Sequence, residues 1–275
     1  MPELPEVETV LLTLRPKLLG AVIAKTEILF PQVIACPAAG QFELAVKSKR
    51  ITHMERRGKY LVWEFDTGLA LVTHLGMTGR LLYSPDGALP GRHTRLVYRF
   101  LGGGQLFFDD QRKFGRVWLL PKDSLAGLSG FCSLGPEPLS ESFSAAYLAL
   151  ALKKRNTFVK AALLDQKTVA GLGNIYADEA LFLAGIAPWR PASSLDQSEV
   201  ERLVQAIARV LREGIEHRGT TIRDYADAFG SAGSHQHFLR VYGREGKNCL
   251  NCSAVIARKK IAGRSSYYCP ACQRG

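Results

Sequence analysis

Ser129-Gly130-Phe131-Cys132-Ser133-Leu134-Gly135-Pro136-Glu137-Pro138-Leu139-Ser140 separates two halves of this chain that follow different periods. The stretch is rich in Gly, Pro and Ser and has no period of its own, so it reads as a domain linker. Upstream, from Ala21 to about Leu120, the signals are those of strands. Ala21 to Phe30 is apolar and rich in β-branched residues. Lys59 to Phe65 and Leu69 to Leu75 flank Asp66-Thr67-Gly68, and Arg95 to Leu101 and Gln105 to Asp109 flank Gly102-Gly103-Gly104. Each pattern predicts a hairpin. With Arg116 to Leu120 added, short strands punctuated by turns predict a β-sandwich or barrel.

Downstream the pattern is helical. Ser142 to Arg155, Thr157 to Asp165 and Asn174 to Ala184 read as helices. In Ser198 to Glu216, residues Val200, Leu203, Val204, Ile207, Val210, Leu211 and Ile215 share one face. Val169-Ala170-Gly171-Leu172-Gly173-Asn174 is a glycine-bearing turn between helices, an arrangement that docks on DNA in several folds. Thr220 to Val241 has mixed polarity and several glycines and reads as a long mobile loop. Ahead of the strands, Val7, Val10, Leu11, Leu14 and Leu18 recur at helical spacing, which predicts a helix from Pro5 to Leu18. Pro5 suits its first turn, and Glu6 and Glu8 suit the positive end of its dipole.

The chain has 275 residues, 47% of them hydrophobic, enough for two domains with cores. Its 36 Lys+Arg against 25 Asp+Glu leave a net charge of +11, which favours a polyanionic partner. The basic residues cluster: Lys47, Lys49, Arg50, Arg56, Arg57 and Lys59; Arg112, Lys113 and Arg116; Lys153, Lys154, Arg155 and Lys160; Arg258, Lys259, Lys260 and Arg264. No apolar run has membrane-spanning length, and the acidic N-terminus lacks the basic start of a secretory signal. A cytoplasmic protein is expected. In a reducing compartment the six cysteines are not a disulfide framework.

Four of those cysteines form Cys249-Leu250-Asn251-Cys252 and Cys269-Pro270-Ala271-Cys272, two knuckles separated by sixteen residues. This spacing predicts one tetrahedral four-thiolate zinc site. With all four positions filled by protein the metal is structural, and it supplies the stability that so short a segment cannot reach by burial. Arg258, Lys259, Lys260 and Arg264 lie between the knuckles, where a basic hairpin tip is suited to phosphate. Cys36 and Cys132 read as ordinary buried or semi-buried thiols.

Met1-Pro2-Glu3-Leu4-Pro5-Glu6 adds a chemical possibility. Once Met1 is removed, Pro2 offers a secondary amine, which can attack an electrophilic carbon and form a charged imine without a lysine. Glu3 and Glu6 place carboxylates beside it. By itself Pro2 is better explained as an ordinary N-terminal residue ahead of a helix than as a nucleophile.

The opening run Met1 to Thr9 resembles the start of bacterial formamidopyrimidine-DNA glycosylases. Arg56-Arg57-Gly58-Lys59-Tyr60-Leu61, His74-Leu75-Gly76-Met77-Thr78-Gly79 and Arg112-Lys113-Phe114-Gly115 match the same family. So do Leu134-Gly135-Pro136-Glu137-Pro138-Leu139, Ala170-Gly171-Leu172-Gly173-Asn174-Ile175-Tyr176 and the paired cysteines. The resemblance implies a multi-domain α+β fold. An N-terminal helix and β-sandwich (residues 1–128) and a linker (129–140) precede a helix–two-turn–helix domain with a lesion-recognition loop (141–241). A zinc finger (242–275) follows, and DNA lies between the domains.

The implied activity is base-excision repair. Oxidised purines, such as 8-oxoguanine and formamidopyrimidines, are removed from damaged double-stranded DNA, and the strand is then cut by lyase chemistry. The resemblance makes Pro2 the nucleophile and Glu3 the general acid/base. Lys59 becomes a lysine assisting at the reacting nucleotide, and Arg264 a phosphate-binding residue that assists the second elimination. Met77, Arg112 and Phe114 match a trio that fills the hole left by the flipped base. For Met77 and Phe114 the alternative is core packing. His93, Arg112 and either Arg155 or Lys154 match DNA contacts. Asn174 matches a phosphate contact, a role compatible with helix capping. The residues between Thr220 and Val241 that touch the extruded base are left open. Leu4 and the Arg112 to Phe114 run favour the purine-directed branch over the related endonuclease VIII group. A structural DNA-binding zinc-finger protein, with Pro2 and Glu3 incidental, is the non-enzymatic alternative. A nucleoid-associated monomer is expected.

Overall fold

The computed structural model describes residues 1–274. It divides into two units. The first comprises Met1–Cys132 with His217–Ser234, and the second comprises Ser133–Glu216 with the chain from His235 onward. The chain passes from one to the other between Cys132 and Ser133, and again at Glu216–His217 and Ser234–His235. Cys132 and Cys36 are exposed, which corrects their reading as buried or semi-buried thiols: neither packs into the apolar core of the first unit.

The first unit opens with α1 (Leu4–Leu18) and β1 (Ile23–Ile28). Next come β2 (Ile34–Cys36), α2 (Ala39–Val46), β3 (Ile51–Arg57), β4 (Tyr60–Phe65) and β5 (Leu69–His74). Then follow β6 (Gly79–Ser84), β7 (Thr94–Phe100), β8 (Gln105–Asp110) and β9 (Arg116–Pro121). They form a four-stranded sheet in the order β1-β7-β8-β6 and a five-stranded sheet in the order β2-β9-β5-β4-β3. Both expected hairpins are present, β4 against β5 and β7 against β8, each antiparallel. One core joins the inner faces of the two sheets to α1. Trp63 of β4 meets Tyr98 of β7 with ring centroids 5.6 Å apart, and Val7, Val10, Leu11, Leu14 and Leu18 of α1 are buried in the same cluster. That is a sandwich with a helix packed on it. β2, α2, β3 and β6 had no clear sequence signal. Their apolar residues are too few or too irregularly spaced to show a period; pairing partners hold the strands, and Phe42 and Val46 anchor α2 in the core.

The segment 217–234 belongs to the first unit, although its position in the sequence suggests the helical half. Nor does it have the open character of a mobile loop. Thr220 N donates to Glu6 Oε1 at 2.7 Å, and Tyr83 N donates to Ala228 O at 2.7 Å. Ala228 and Tyr225 pack on the sandwich core. Arg218 pairs with Asp227, whose carboxylate also accepts the Phe229 and Ser231 amides. Gly233 closes the loop, because a Cβ there would overlap the Gly219 carbonyl. Gly219 itself has φ +83° and cannot retreat easily. Gly233→Ala is expected to cost about 1–3 kcal/mol by overpacking. Thermal unfolding together with hydrogen exchange across 217–234 would test this, and unchanged exchange there would refute it.

In the second unit, α3 (Ala145–Lys153), α4 (Val159–Leu164), α5 (Asn174–Ala184) and α6 (Gln197–Glu216) follow the expected order. β10 (Ala257–Ile261) and β11 (Arg264–Tyr268) form an antiparallel hairpin. Gln166 closes the turn between α4 and α5. Its Oε1 accepts Gly171 N at 2.9 Å, while its Nε2 donates to Leu164 O and Leu172 O. Gly135 lies against this turn, where a Cβ would strike Lys167 O and Thr168 O. No helix among the described residues is long and apolar enough to cross a membrane.

Candidate functional site

The start of the chain is held rigidly. Glu3 is the N-cap of α1 and forms a capping box with Glu6, with Glu3 N donating to Glu6 Oε2 at 2.7 Å. Glu6 therefore receives the peptide that follows Pro2 on one oxygen and the amide of Thr220 on the other. Pro2 and Glu3 are buried, whereas Met1 is 48% exposed. Arg56 pairs with Glu8 at 2.7 Å, tying β3 to α1 and removing Arg56 from the expected basic cluster.

Lys59 does not lie on the strand. It occupies a two-residue turn with Gly58 between β3 and β4, where Arg57 pairs with Tyr60 and Gly58 takes φ +58°. The side chain is largely buried and close enough to His74 to act on it electrostatically. His74 lies against Tyr60 with ring centroids 4.8 Å apart, and its Nδ1 accepts Gly76 N at 3.1 Å. Burial lowers its pKa to about 4, and the Lys59 charge pushes the same way.

An unfolded imidazole titrates near ~6.5, so between that value and the folded one the unfolded chain binds more protons. The contribution of His74 to stability is complete above the unfolded value and is lost as pH falls towards the folded one. It amounts to at most ~3 kcal/mol. The urea midpoint should fall from pH 7 to pH 5, and His74→Asn should flatten that slope. A slope unaffected by the substitution would assign the proton uptake to another group.

Two loops bring the wedge candidates together. Asp110, almost wholly buried, accepts Thr78 Oγ1 at 2.5 Å, Arg112 N at 3.2 Å and Gly115 N at 2.7 Å. Arg112 N also donates to Thr78 Oγ1 at 3.1 Å. At Gly76 a Cβ would meet Phe114 C and Gly115 N, both at 2.8 Å, so the β5–β6 loop and the β8–β9 loop touch backbone to backbone. Met77 and Phe114 are 40% and 51% exposed, which excludes core packing for both. The Arg112 guanidinium lies 4.8 Å from the Phe114 ring centroid, a stacked cation–π pair. His93 lines a polar pocket of ≈ 110 Å³ with Thr78, Arg80, Asp109, Gln111, Arg223 and Asp224. The last two residues come from the 217–234 segment.

In the second unit, Lys154 is exposed. Arg155 is partly buried and donates to Asp165 Oδ2 at 2.6 Å and Thr168 Oγ1 at 3.0 Å. Asn174 is the first residue of α5 and not its cap, which is Gly173. Its amide donates to Ser265 O at 3.1 Å. Lys160 corrects the reading of its basic cluster, because it is fully buried and paired with Asp178 at 2.7 Å. Glu179, also fully buried, accepts the amides of Arg240, Val241 and Tyr242. Burial raises its pKa against the pull of those amides. Sequence reasoning missed Asp178 and Glu179. Two adjacent acids inside the apolar run Ile175 to Leu183 were the available signal, because charge is buried there only when it is matched.

Arg264 is exposed and opens β11 after a tight turn, in which Ala262 and Gly263 both have positive φ. Arg258 pairs with Glu245 at 2.9 Å, and Lys259 lies 5.1 Å from the Trp189 ring centroid. At the other end of the hairpin the four cysteine sulfurs lie within 4.8 Å of one another, with separations of 3.9, 3.4 and 3.3 Å among them. Zn–S bonds of about 2.3 Å in a tetrahedron require S···S edges of about 3.8 Å, so the cluster fits one zinc ion. Asn251 N and Cys272 N point at Cys249 Sγ and Cys269 Sγ, each at 3.4 Å, as donors to thiolates.

Three family models match the chain in order. They are the formamidopyrimidine-DNA glycosylase N-terminal domain over residues 1–117, the H2TH domain of the same enzymes over 134–226, and the zinc finger found in FPG and IleRS over 246–275. A formamidopyrimidine-DNA glycosylase of Pelotomaculum thermopropionicum is 51% identical, with 100% of this chain and 99% of that protein covered. A Lactococcus lactis FPG mutant, solved in complex with a Fapy-dG containing DNA, superposes with a TM-score of 0.94 at 37% identity, and both chains are covered in full. The Lactococcus lactis Fpg in complex with an abasic site containing DNA superposes at 0.93 and 37% identity, covering 99% of this chain and 100% of that one. On this evidence of sequence and fold, the chain belongs to the formamidopyrimidine-DNA glycosylase family.

Proposed function

We infer that this protein is a base-excision-repair DNA glycosylase with lyase activity, acting on oxidised purines such as 8-oxoguanine and formamidopyrimidines in damaged duplex DNA. The observation that carries this reading is the capped chain start, with Pro2 and Glu3 fixed on α1 by Glu6 in a chain that matches the family from end to end. Met1 is half exposed and so accessible to removal, which frees the Pro2 amine.

The target base is first turned out of the stack, because its glycosidic carbon is inaccessible in the duplex. The Pro2 nitrogen attacks the sugar C1′, and the base leaves with the bonding electrons of the glycosidic bond and gains a proton. The sugar ring opens to an iminium joining enzyme and DNA. The iminium acidifies the C2′ hydrogen, and loss of that proton expels the 3′ phosphate. A second elimination expels the 5′ phosphate, and water releases the sugar fragment from Pro2. Glu3 handles the protons at the sugar oxygen and carbon. A carboxylate has about four lone-pair sites, so capping and proton handling are compatible. Lys59 assists proton transfer at the reacting nucleotide. Arg264 binds a phosphate and assists the second elimination. Arg112 bonds the orphaned base while Met77 and Phe114 wedge the stack. His93, Asn174 and Arg155, or Lys154 in its place, contact the DNA backbone. Zinc, held by Cys249, Cys252, Cys269 and Cys272, is structural. The protein acts as a nucleoid-associated monomer.

The test is excision from matched duplexes containing 8-oxoguanine or thymine glycol. Preferential release of 8-oxoguanine is expected. Preferential release of thymine glycol would move the protein to the pyrimidine-directed branch, and release of neither would leave a DNA-binding protein without this activity.

A further inference from the structure

We propose that the buried Lys160–Asp178 ion pair is a positioning device for Arg264, an inference that rests on the reading of Arg264 as a phosphate-binding residue. Lys160 on α4 is fully buried. Its ammonium forms an ion pair with Asp178 Oδ1 at 2.7 Å and donates to Ser265 O at 2.9 Å and Ser266 Oγ at 2.8 Å. Asn174, one helical turn before Asp178 on α5, donates to the same Ser265 carbonyl at 3.1 Å. Asp178 Oδ2 accepts Tyr267 N at 2.9 Å. Ser265, Ser266 and Tyr267, the three residues that follow Arg264, are thus each gripped from the helical layer.

Stability does not explain this arrangement. Burying two charges costs desolvation that their attraction only about offsets, and a well-packed apolar pair often serves folding as well. An apolar pair cannot fix the register of a polar backbone, and register sets where Arg264 emerges. The zinc site cannot do so alone. Cys269 is five residues beyond Arg264, about 16 Å along an extended strand, which leaves the tip free to swing about the metal. With Ser265 to Tyr267 held at the near end and Cys269 at the far end, β11 is fixed at both. Burial raises the Asp178 pKa to about 7, and the Lys160 charge limits that rise.

The experiment uses the full zinc-loaded chain and duplex DNA carrying a tetrahydrofuran abasic analogue. The variants are Lys160→Met/Asp178→Leu, the near-isosteric Asp178→Asn, Arg264→Ala, and the first combined with the last. Zinc content and thermal unfolding identify any variant that fails to fold, and Asp178→Asn, which keeps the shape, then carries the comparison. Each phosphate contact adds about 0.9 to the slope of log affinity against log salt. The apolar pair should lower that slope by about one, although Lys160 is too deeply buried to touch DNA. It should also slow the second elimination on an abasic substrate by roughly tenfold to a hundredfold. The same losses should appear in Arg264→Ala, and combining the changes should add nothing. Losses that multiply, or an apolar pair that behaves as wild type while Arg264→Ala is impaired, would overturn the positioning role and leave Arg264 intact as a phosphate contact. An Arg264→Ala variant indistinguishable from wild type would overturn both.

Discussion

Replacing Pro2 by glycine is expected to reduce covalent capture of damaged DNA by roughly 10³-fold or more, as loss of a nucleophile does elsewhere. Duplex binding should survive. Glycine still offers an amine once Met1 is removed, but a primary one. Its imine must be protonated to act as an electron sink, whereas the proline imine is charged as formed. Glycine also lacks the ring that fixes the direction of the nitrogen lone pair, so the amine is less well held for attack. Borohydride reduction in the presence of 8-oxoguanine duplex, followed by denaturing electrophoresis, measures the adduct. Intact mass on the same samples establishes that Met1 has been removed in both proteins. An unchanged adduct yield would refute Pro2 as nucleophile. Absence of adduct from the processed wild type would refute imine chemistry and favour the DNA-binding alternative.

Removing zinc, or replacing Cys252 by serine, should unfold the β10–β11 hairpin and abolish specific DNA binding while the first unit stays folded. The apolar cluster beneath the hairpin is small: Phe182, Val241, Cys249, Ile256 and Cys269. A structural zinc contributes on the order of 10 kcal/mol to a segment of this kind, more than that cluster can replace. Loss of the hairpin also strips Asp178 of the Tyr267 amide it accepts, so part of the cost falls on α5. Trp189 reports the event, because it contacts Tyr268 with ring centroids 4.6 Å apart, whereas Trp63 is buried in the sandwich. Chelation should shift the Trp189 emission towards that of exposed indole, and Trp189→Phe should remove the shift. A hairpin that keeps its fluorescence and its DNA affinity without metal would show that packing alone holds it.

The sequence by itself determined every feature with a short-range signature. The change of period across Ser129 to Ser140 separates strands from helices, and the structure crosses between its units there. Helices Asn174–Ala184 and Gln197–Glu216 follow their apolar stripes to within a residue of the expected ends. The zinc site follows from cysteine spacing, because two knuckles need only local geometry to converge. Tertiary structure alone decided where charge is buried. Lys160 reads as one more surface lysine until Ser266, 106 residues away, and Asp178 enclose it. Glu6 reads as an ordinary helix-start acid until Thr220, 214 residues later, claims its second oxygen and brings 217–234 into the first unit. Periodicity reports which face of a segment is apolar, but a buried polar group is tolerated only through partners that match it. Those partners are distant in sequence, so only the folded chain identifies them.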